Sequence, residues 1–286
     1  MLSQWDCFLK NLGKWHGSFT RFSPQGEETV DTPTLVTLEG LNDNKNVHQV
    51  VRYLPPNEPS RDVIVDYDSL NRSILFFENG AFSQGSMQWG PYSTFGSEFG
   101  LIDNEFGDGT RRLRMVELYS TDSQLERVVL IREKLPHSEV PERPTLTVDS
   151  LLGEWHGEAT TLFADLSTPQ EFSCQLKVEQ KDTNHLEQTL SYGDASASRG
   201  ETRTICSTAR IAGNRLLFEN SVLSTQVILF PDGASCCCPL KVGSGHNFVL
   251  EMGWLLQPTI RQRIMRSYNH KGNWVSCTLV TERKVD

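Results

Sequence analysis

Nothing in this chain of 286 residues approaches the ~20 consecutive apolar residues that a membrane-spanning helix needs. Its start, Met1-Leu2-Ser3-Gln4-Trp5-Asp6, lacks the basic and then apolar pattern of a secretory signal, so a cytoplasmic protein is expected. Basic residues are scarce: 27 Lys and Arg face 36 Asp and Glu, a net charge of −9. Nucleic acid and anionic membrane would both be repelled, and neither is expected as a partner. The acid excess is uneven, with 13 basic against 20 acidic residues up to position 140 and 14 against 16 beyond it. The seven histidines form no His-x-x-x-His pair, and the seven cysteines no Cys-x-x-Cys. No metal site is expected from such spacing. Three cysteines are adjacent, Cys236, Cys237 and Cys238; a ring closed by neighbours is strained, which favours free thiols and a reduced compartment. A Gly-x-Ser-x-Gly elbow, a Walker loop and a Gly-x-Gly-x-x-Gly stretch are all missing, so neither catalysis nor a cofactor is expected.

What is present is a repeat. Leu12-Gly13-Lys14-Trp15-His16-Gly17 returns 140 residues later as Leu152-Gly153-Glu154-Trp155-His156-Gly157. Leu75-Phe76-Phe77-Glu78-Asn79 matches Leu216-Leu217-Phe218-Glu219-Asn220 at a spacing of 141. Arg112-x-Arg114, Tyr119 and Glu133 match Arg261-x-Arg263, Tyr268 and Glu282 at 149. Three anchors in one order mean duplication, and the growing spacing means insertions in the second copy, with Pro231–Ser235 one place for them. The length suits two domains of about 140 residues. Pro136, Pro141 and Pro144 mark a stiff connector. The expected division is 1–135, a linker at 136–145, and 146–286.

Each copy opens with a short helix. Trp5, Phe8, Leu9 and Leu12 keep a helical period behind the N-cap candidate Ser3, and Val148, Leu151 and Leu152 repeat this more briefly. The rest alternates like strands, with turns at Ser23–Gly26, Thr121–Gln124 and Asn269–Asn273. Short strands at 8–12 residue spacing indicate an all-β barrel or sandwich.

A short helix leading into Gly-x-Trp on the first strand, here Gly13-Lys14-Trp15 and Gly153-Glu154-Trp155, resembles the opening of the calycin superfamily, which includes the lipocalins. The resemblance implies two tandem up-and-down β-barrels, each closed at one end by its tryptophan, Trp15 or Trp155. A basic residue from the last strand covers the ring in that family, a role that falls to Arg132 and Arg283. Over its whole length the chain resembles a calycin-like family of cyanobacteria and plastids, first filed as a domain of unknown function, whose plant member is a biogenesis factor for the chloroplast ATP synthase. That implies a non-catalytic assembly factor with a protein partner, namely subunits of the ATP synthase head.

Binding candidates come from the residues themselves. On a strand Arg112 and Arg114 share a face, as do Arg261 and Arg263. Turned inward, each pair would grip a carboxylate of a fatty acid or tetrapyrrole, with Glu117 and Glu251 as further partners; turned outward, it would be solvated or meet a protein. The repeated Tyr119 and Tyr268 lie on the same strands. Trp89 and Tyr92 sit in a glycine-rich connection that suits either a recognition loop or self-packing. The alternative function is therefore a lipocalin-like carrier of a small hydrophobic ligand, or a bilin-lyase-like protein. His16 and His156 read as hydrogen-bonded neighbours of the tryptophans.

Overall fold

The computed structural model describes residues 2–104, 106–193, 202–219 and 222–285. Helix α1 (Gln4–Leu9) leads into strands β1 (Gly13–Phe22), β2 (Glu28–Leu41), β3 (Asn46–Tyr53), β4 (Arg61–Tyr67), β5 (Ile74–Phe76), β6 (Phe82–Gly85), β7 (Phe95–Ile102), β8 (Arg111–Tyr119) and β9 (Leu125–Lys134). The second unit runs α2 (Val148–Leu151), β10 (Gly153–Phe163), β11 (Gln170–Gln180), β12 (His185–Gly193), β13 (Thr202–Ala212), β14 (Arg215–Phe218), β15 (Thr225–Leu229), β16 (Ala234–Pro239), β17 (Phe248–Gln257), β18 (Ile260–Tyr268) and β19 (Trp274–Val285). The tandem all-β reading holds. Among the described residues no helix is long and apolar enough to cross a membrane.

Ser3 caps α1 as its spacing suggests: its hydroxyl accepts from the Asp6 backbone while Asp6 reaches back to the Ser3 N–H. The helix ends at Leu9, four residues before Gly13, which opens β1 with φ 144°. Both sheets are antiparallel meanders in which the first strand pairs with the last. The second closes into a ten-stranded barrel, β10 through β19. The first is a nine-stranded sheet in the order β4-β3-β2-β1-β9-β8-β7-β6-β5, with an open seam between β4 and β5.

Strand registers correct one detail of the repeat. Phe82 pairs with Gly100 and Ser235 with Gly253, while Gly100 pairs with Arg114 and Gly253 with Arg263. Pro231–Ser235 is thus the counterpart of Glu78–Phe82, and both make the same turn: Phe77 N–H bonds to Ala81 O and Phe230 N–H to Ala234 O, each at 2.8 Å. The insertion lies before that turn, in a hairpin that gives the second unit one more strand, so the registers make 228–232 the counterpart of Leu75–Asn79 and overturn the match to Leu216–Asn220. Asn220, at the end of the second anchor, lies outside the described residues.

The two sheets do not hang apart on a stiff linker. A single buried cluster joins Phe95, Phe99, Leu113 and Met115 of one to Cys236, Leu250, Met252 and Ile264 of the other. The contacts around it obey an internal two-fold relation. Leu125 N–H bonds to Leu240 O at 2.9 Å, and its counterpart Trp274 N–H bonds to Met87 O at 2.8 Å. Val242 N–H meets Ser123 O, as Trp89 N–H meets Gly272 O. The Tyr119 hydroxyl donates to Pro239 O at 2.8 Å, and that of Tyr268 to Ser86 O at 2.9 Å. Such reciprocal pairing is the signature of an isologous interface. The connector is clamped into it: Arg143 lies over the Trp254 ring at 4.5 Å and bonds to Asp103 at 3.0 Å.

Candidate functional site

Alternation along β8 turns Arg112 and Arg114 into the first barrel, and alternation along β18 turns Arg261 and Arg263 into the second. The ends of α1 and α2 set the tryptophans below them. Trp15 Nε1 donates to Asn11 O at 3.0 Å and Trp155 Nε1 to Leu151 O at 2.9 Å, so each ring seals its barrel floor with its polar edge satisfied. The covering cations are Arg112, 4.4 Å from the Trp15 centroid, and Arg261, 4.8 Å from that of Trp155, where Lys284 of the last strand also lies at 5.1 Å. This corrects the expectation for Arg132 and Arg283, which stand on the outward side. Arg132 bonds to Glu142 at 2.9 Å and Thr20 at 3.1 Å, and Arg283 lies over Phe106 at 5.3 Å.

Each arginine pair is already partnered. Glu133, fully buried, accepts from Arg112 Nε at 2.7 Å and Arg114 Nη2 at 2.8 Å, while Glu98 accepts from Arg114 Nη1 at 2.7 Å. The second barrel repeats the set: Glu282 takes Arg261 Nε and Arg263 Nη2, each at 2.7 Å, and Glu251 takes Arg263 Nη1 at 3.0 Å. Two guanidiniums thus face two carboxylates in each barrel. Burial alone would raise the pKa of Glu133 and of Glu282, but the flanking arginines outweigh it and hold both below the ordinary carboxyl value. A ligand carboxylate would enter as a third anion. The cavity beside Arg112 and Arg114 measures about 80 Å³, room for a water or two. Small-molecule pockets run from roughly 300 Å³ upward.

Glu117 was expected as an arginine partner and is not one. It lies three residues from Arg114, an odd step, and so points out of the barrel into the core between the sheets. Glu251 does partner Arg263. Tyr119 and Tyr268 also face away from the arginines and serve the two-fold docking instead. Trp89 packs in the same seam, donating to Ser123 Oγ at 2.9 Å. Tyr92, with φ 64°, stands free at 87% exposure. Cys236 and Cys238 share a buried face, their sulfurs 4.0 Å apart, with Cys237 on the other. Among the described residues no group of three His, Cys, Asp or Glu is placed to hold a metal.

Outside the barrels, a groove of about 750 Å³ runs between α1, the Phe77–Asn79 turn and the outer face of β10 and β19. Phe106, Leu162 and Leu279 line it alongside His156 and Arg283. Sequence reading had no signal for this groove, because it joins distant segments. Among the described residues β4 pairs with no strand on its side away from β3.

Residues 1–138 match the model of DUF3598, N-terminal, a domain of unknown function, and residues 142–285 that of the C-terminal domain of Biogenesis factor required for ATP synthase 1. A crystal structure of a DUF3598 protein of unknown function from Nostoc punctiforme is 45% identical over 100% of both chains, with a TM-score of 0.90. The chain belongs to the DUF3598 family. An S-type phycobiliprotein lyase from Guillardia theta covers 49% of this DUF3598 chain and 90% of its own at 11% identity, with a TM-score of 0.38. Among curated proteins nothing matches.

Proposed function

We propose that this DUF3598 chain is a non-catalytic, cytoplasmic protein-binding factor that assists assembly of the ATP synthase catalytic head. The match of its second half to the ATP synthase biogenesis factor domain carries this reading. The barrel interiors add support from the physical side. Their arginines are neutralised within the protein, and the cavity beside the first pair is about 80 Å³, well below what a fatty acid or tetrapyrrole fills. The binding capacity of the first unit is therefore assigned to its outer surface.

The test is capture from a phototroph lysate with the tagged full chain, alongside native gels of the ATP synthase head from a deletion strain. Head subunits are expected in the eluate, and less assembled head in the deletion strain. Normal assembly together with no captured head subunit refutes the proposal. Native mass spectrometry of the purified chain bears on the carrier alternative and is expected to give the mass of the polypeptide alone.

A further inference from the structure

The two units carry the same strand in the same place but continue differently from its end. Reading across the sheet from Trp15, the registered residues are Val36, Val51 and Val63; from Trp155 they are Leu176, Leu190 and Ile205. Strands β4 and β13 therefore correspond. In the second unit β13 runs on to Ala212, turns through Gly213 and Asn214, and is covered at Arg210–Ala212 by β14. In the first unit β4 pairs with β3 and, among the described residues, with no strand on its other side.

The far side of the seam is capped by a side chain. The Gln4 amide makes two hydrogen bonds to the Phe76 backbone, at 2.8 and 2.7 Å. In the second unit Leu229, the counterpart of Phe76, is bonded instead by Asn214 where the chain enters β14. Gln4 thus imitates one link of a strand on the β5 side and leaves the β4 side bare.

That bare edge is apolar and exposed on both faces. Val63 is 39% exposed, Ile64 58% and Val65 37%. Val63 pairs with the buried Val51 and so lies on the barrel side; Ile64 points outward. Natural sheets protect such edges, because unpaired N–H and C=O groups beside apolar side chains recruit further strands.

We propose that β4 is a docking edge, where an extended segment of a partner polypeptide adds a strand to the first barrel and sets basic side chains against Asp62 and Asp66. This rests on the protein-binding reading above and names where the partner is held. A strand is the occupant because a row of unpaired ladder N–H and C=O groups accepts one; β14 itself lies past this stretch, over Arg210–Ala212 and beyond Ala209, the counterpart of Tyr67. A second copy of this chain is disfavoured by charge. Antiparallel pairing of two β4 strands about Ile64 sets Asp62 of each copy against Asp66 of the other, and like charges directly opposed destabilise a ladder. The seven-charge acid excess of residues 1–140 adds to that repulsion. Arg52 and His48 hold the two aspartates in place from β3, and each carboxylate keeps lone pairs for an incoming cation.

The experiment is hydrogen exchange on the full chain with two probes, a nine-residue peptide alternating lysine and valine and one alternating glutamate and valine. The lysine peptide is expected to slow exchange of the 61–67 amides by about tenfold or more, and the glutamate peptide to leave them unchanged. Ile64→Lys should abolish the protection. Asp66→Lys, at a side chain 76% exposed, should transfer it to the glutamate peptide. No protection at about 1 mM peptide, protection at β13 in place of β4, or dimerisation through β4 overturns the proposal. If wild type and Ile64→Lys capture ATP synthase head subunits equally, the edge is wrong and the assembly reading stands. Should the peptide protect β4 while no head subunit is captured, the assembly reading falls and the edge stands.

Discussion

Glu117 is a carboxyl group in the dry core between the two sheets, at 0% exposure and with neither oxygen hydrogen-bonded. Burial pushes its pKa well above the ordinary 4.5, the nearby Cys238 and Glu251 push the same way, and the Glu251 backbone N–H opposes them weakly. The folded chain therefore keeps a proton that the unfolded chain releases above pH 4.5. The sign follows by linkage: this site favours folding most at low pH, and its contribution falls as pH rises toward the folded pKa. The slope is about 1.4 kcal/mol per pH unit. Glu117→Gln has nearly the same shape and no proton to lose. It still buries an unpaired polar group, so near pH 4.5 it should match wild type within about 1 kcal/mol.

Urea denaturation of both proteins at pH 6 and pH 7 decides the matter, well away from the isoelectric point near 5.3, where low net charge promotes association. The stability advantage of Glu117→Gln should grow across that unit by up to about 1.4 kcal/mol, or at most roughly 2–5 °C in Tm. An advantage that stays constant with pH would mean that Glu117 titrates alike in both states, and the burial argument would fail.

Glu133→Gln should cost about 3–5 kcal/mol in urea denaturation, because it leaves Arg112 and Arg114 without their shared anion; Glu282→Gln should cost a similar amount. The low pKa of Glu133 gives stability present above pH 4.5 and lost as pH falls through the folded value, so the variant should lose that acid slope. Gly17→Ala places a Cβ 1.9 Å from the Arg132 carbonyl oxygen and should lower Tm by several degrees, whereas Gly243→Ala meets nothing within 4 Å and should be nearly neutral. Of the seven cysteines, exposed Cys206 should react fast with a thiol reagent at pH 8. Burial raises Cys174 to about 11 and Cys277 to about 12, so both should react only on unfolding; several fast thiols in the native chain would contradict this.

Features fixed by local rules were legible in the sequence. The capped first helix and the β8–β9 and β18–β19 hairpins follow from periodicity and turn residues, and the Trp15 and Trp155 floors from the calycin resemblance. The inward face of the arginines could be reasoned from Gly-x-Trp architecture, and the same period of two should have excluded Glu117 as their partner. What stayed hidden depends on register between strands. Glu133 was visible only as a repeated residue, because its place beside Arg112 is set by the pairing of β8 with β9. The covering role went to Arg132 and Arg283 for the same reason, since the inward direction of a last-strand residue changes with a shift of one. Tyr119 and Tyr268 recur in both copies because two-fold docking needs each of them once on either side, a cause that strand alternation alone does not show.

That two-fold relation also says where function should be sought. Every feature that obeys it has a structural reason: the tryptophan floors, the arginine–glutamate sets, the tyrosine links and the clasps at Leu125 and Trp274. Selection for stability alone would keep these paired in both halves. One group of departures from symmetry lies around the open seam of the first unit. The first unit lacks the strand that closes the second, ends β4 at Tyr67 where β13 runs on to Ala212, plugs the seam with Gln4, and carries most of the acid excess. Pairing the β4 edge would extend the sheet of the first barrel, which β14 does for the second only beyond Ala209. A partner strand that supplies the missing ladder adds stability on binding, which couples recognition of an extended, unfolded segment to extension of the sheet. An assembly factor that holds a subunit before it folds needs that kind of coupling: the segment is available while extended and is withdrawn once the subunit buries it in its own fold.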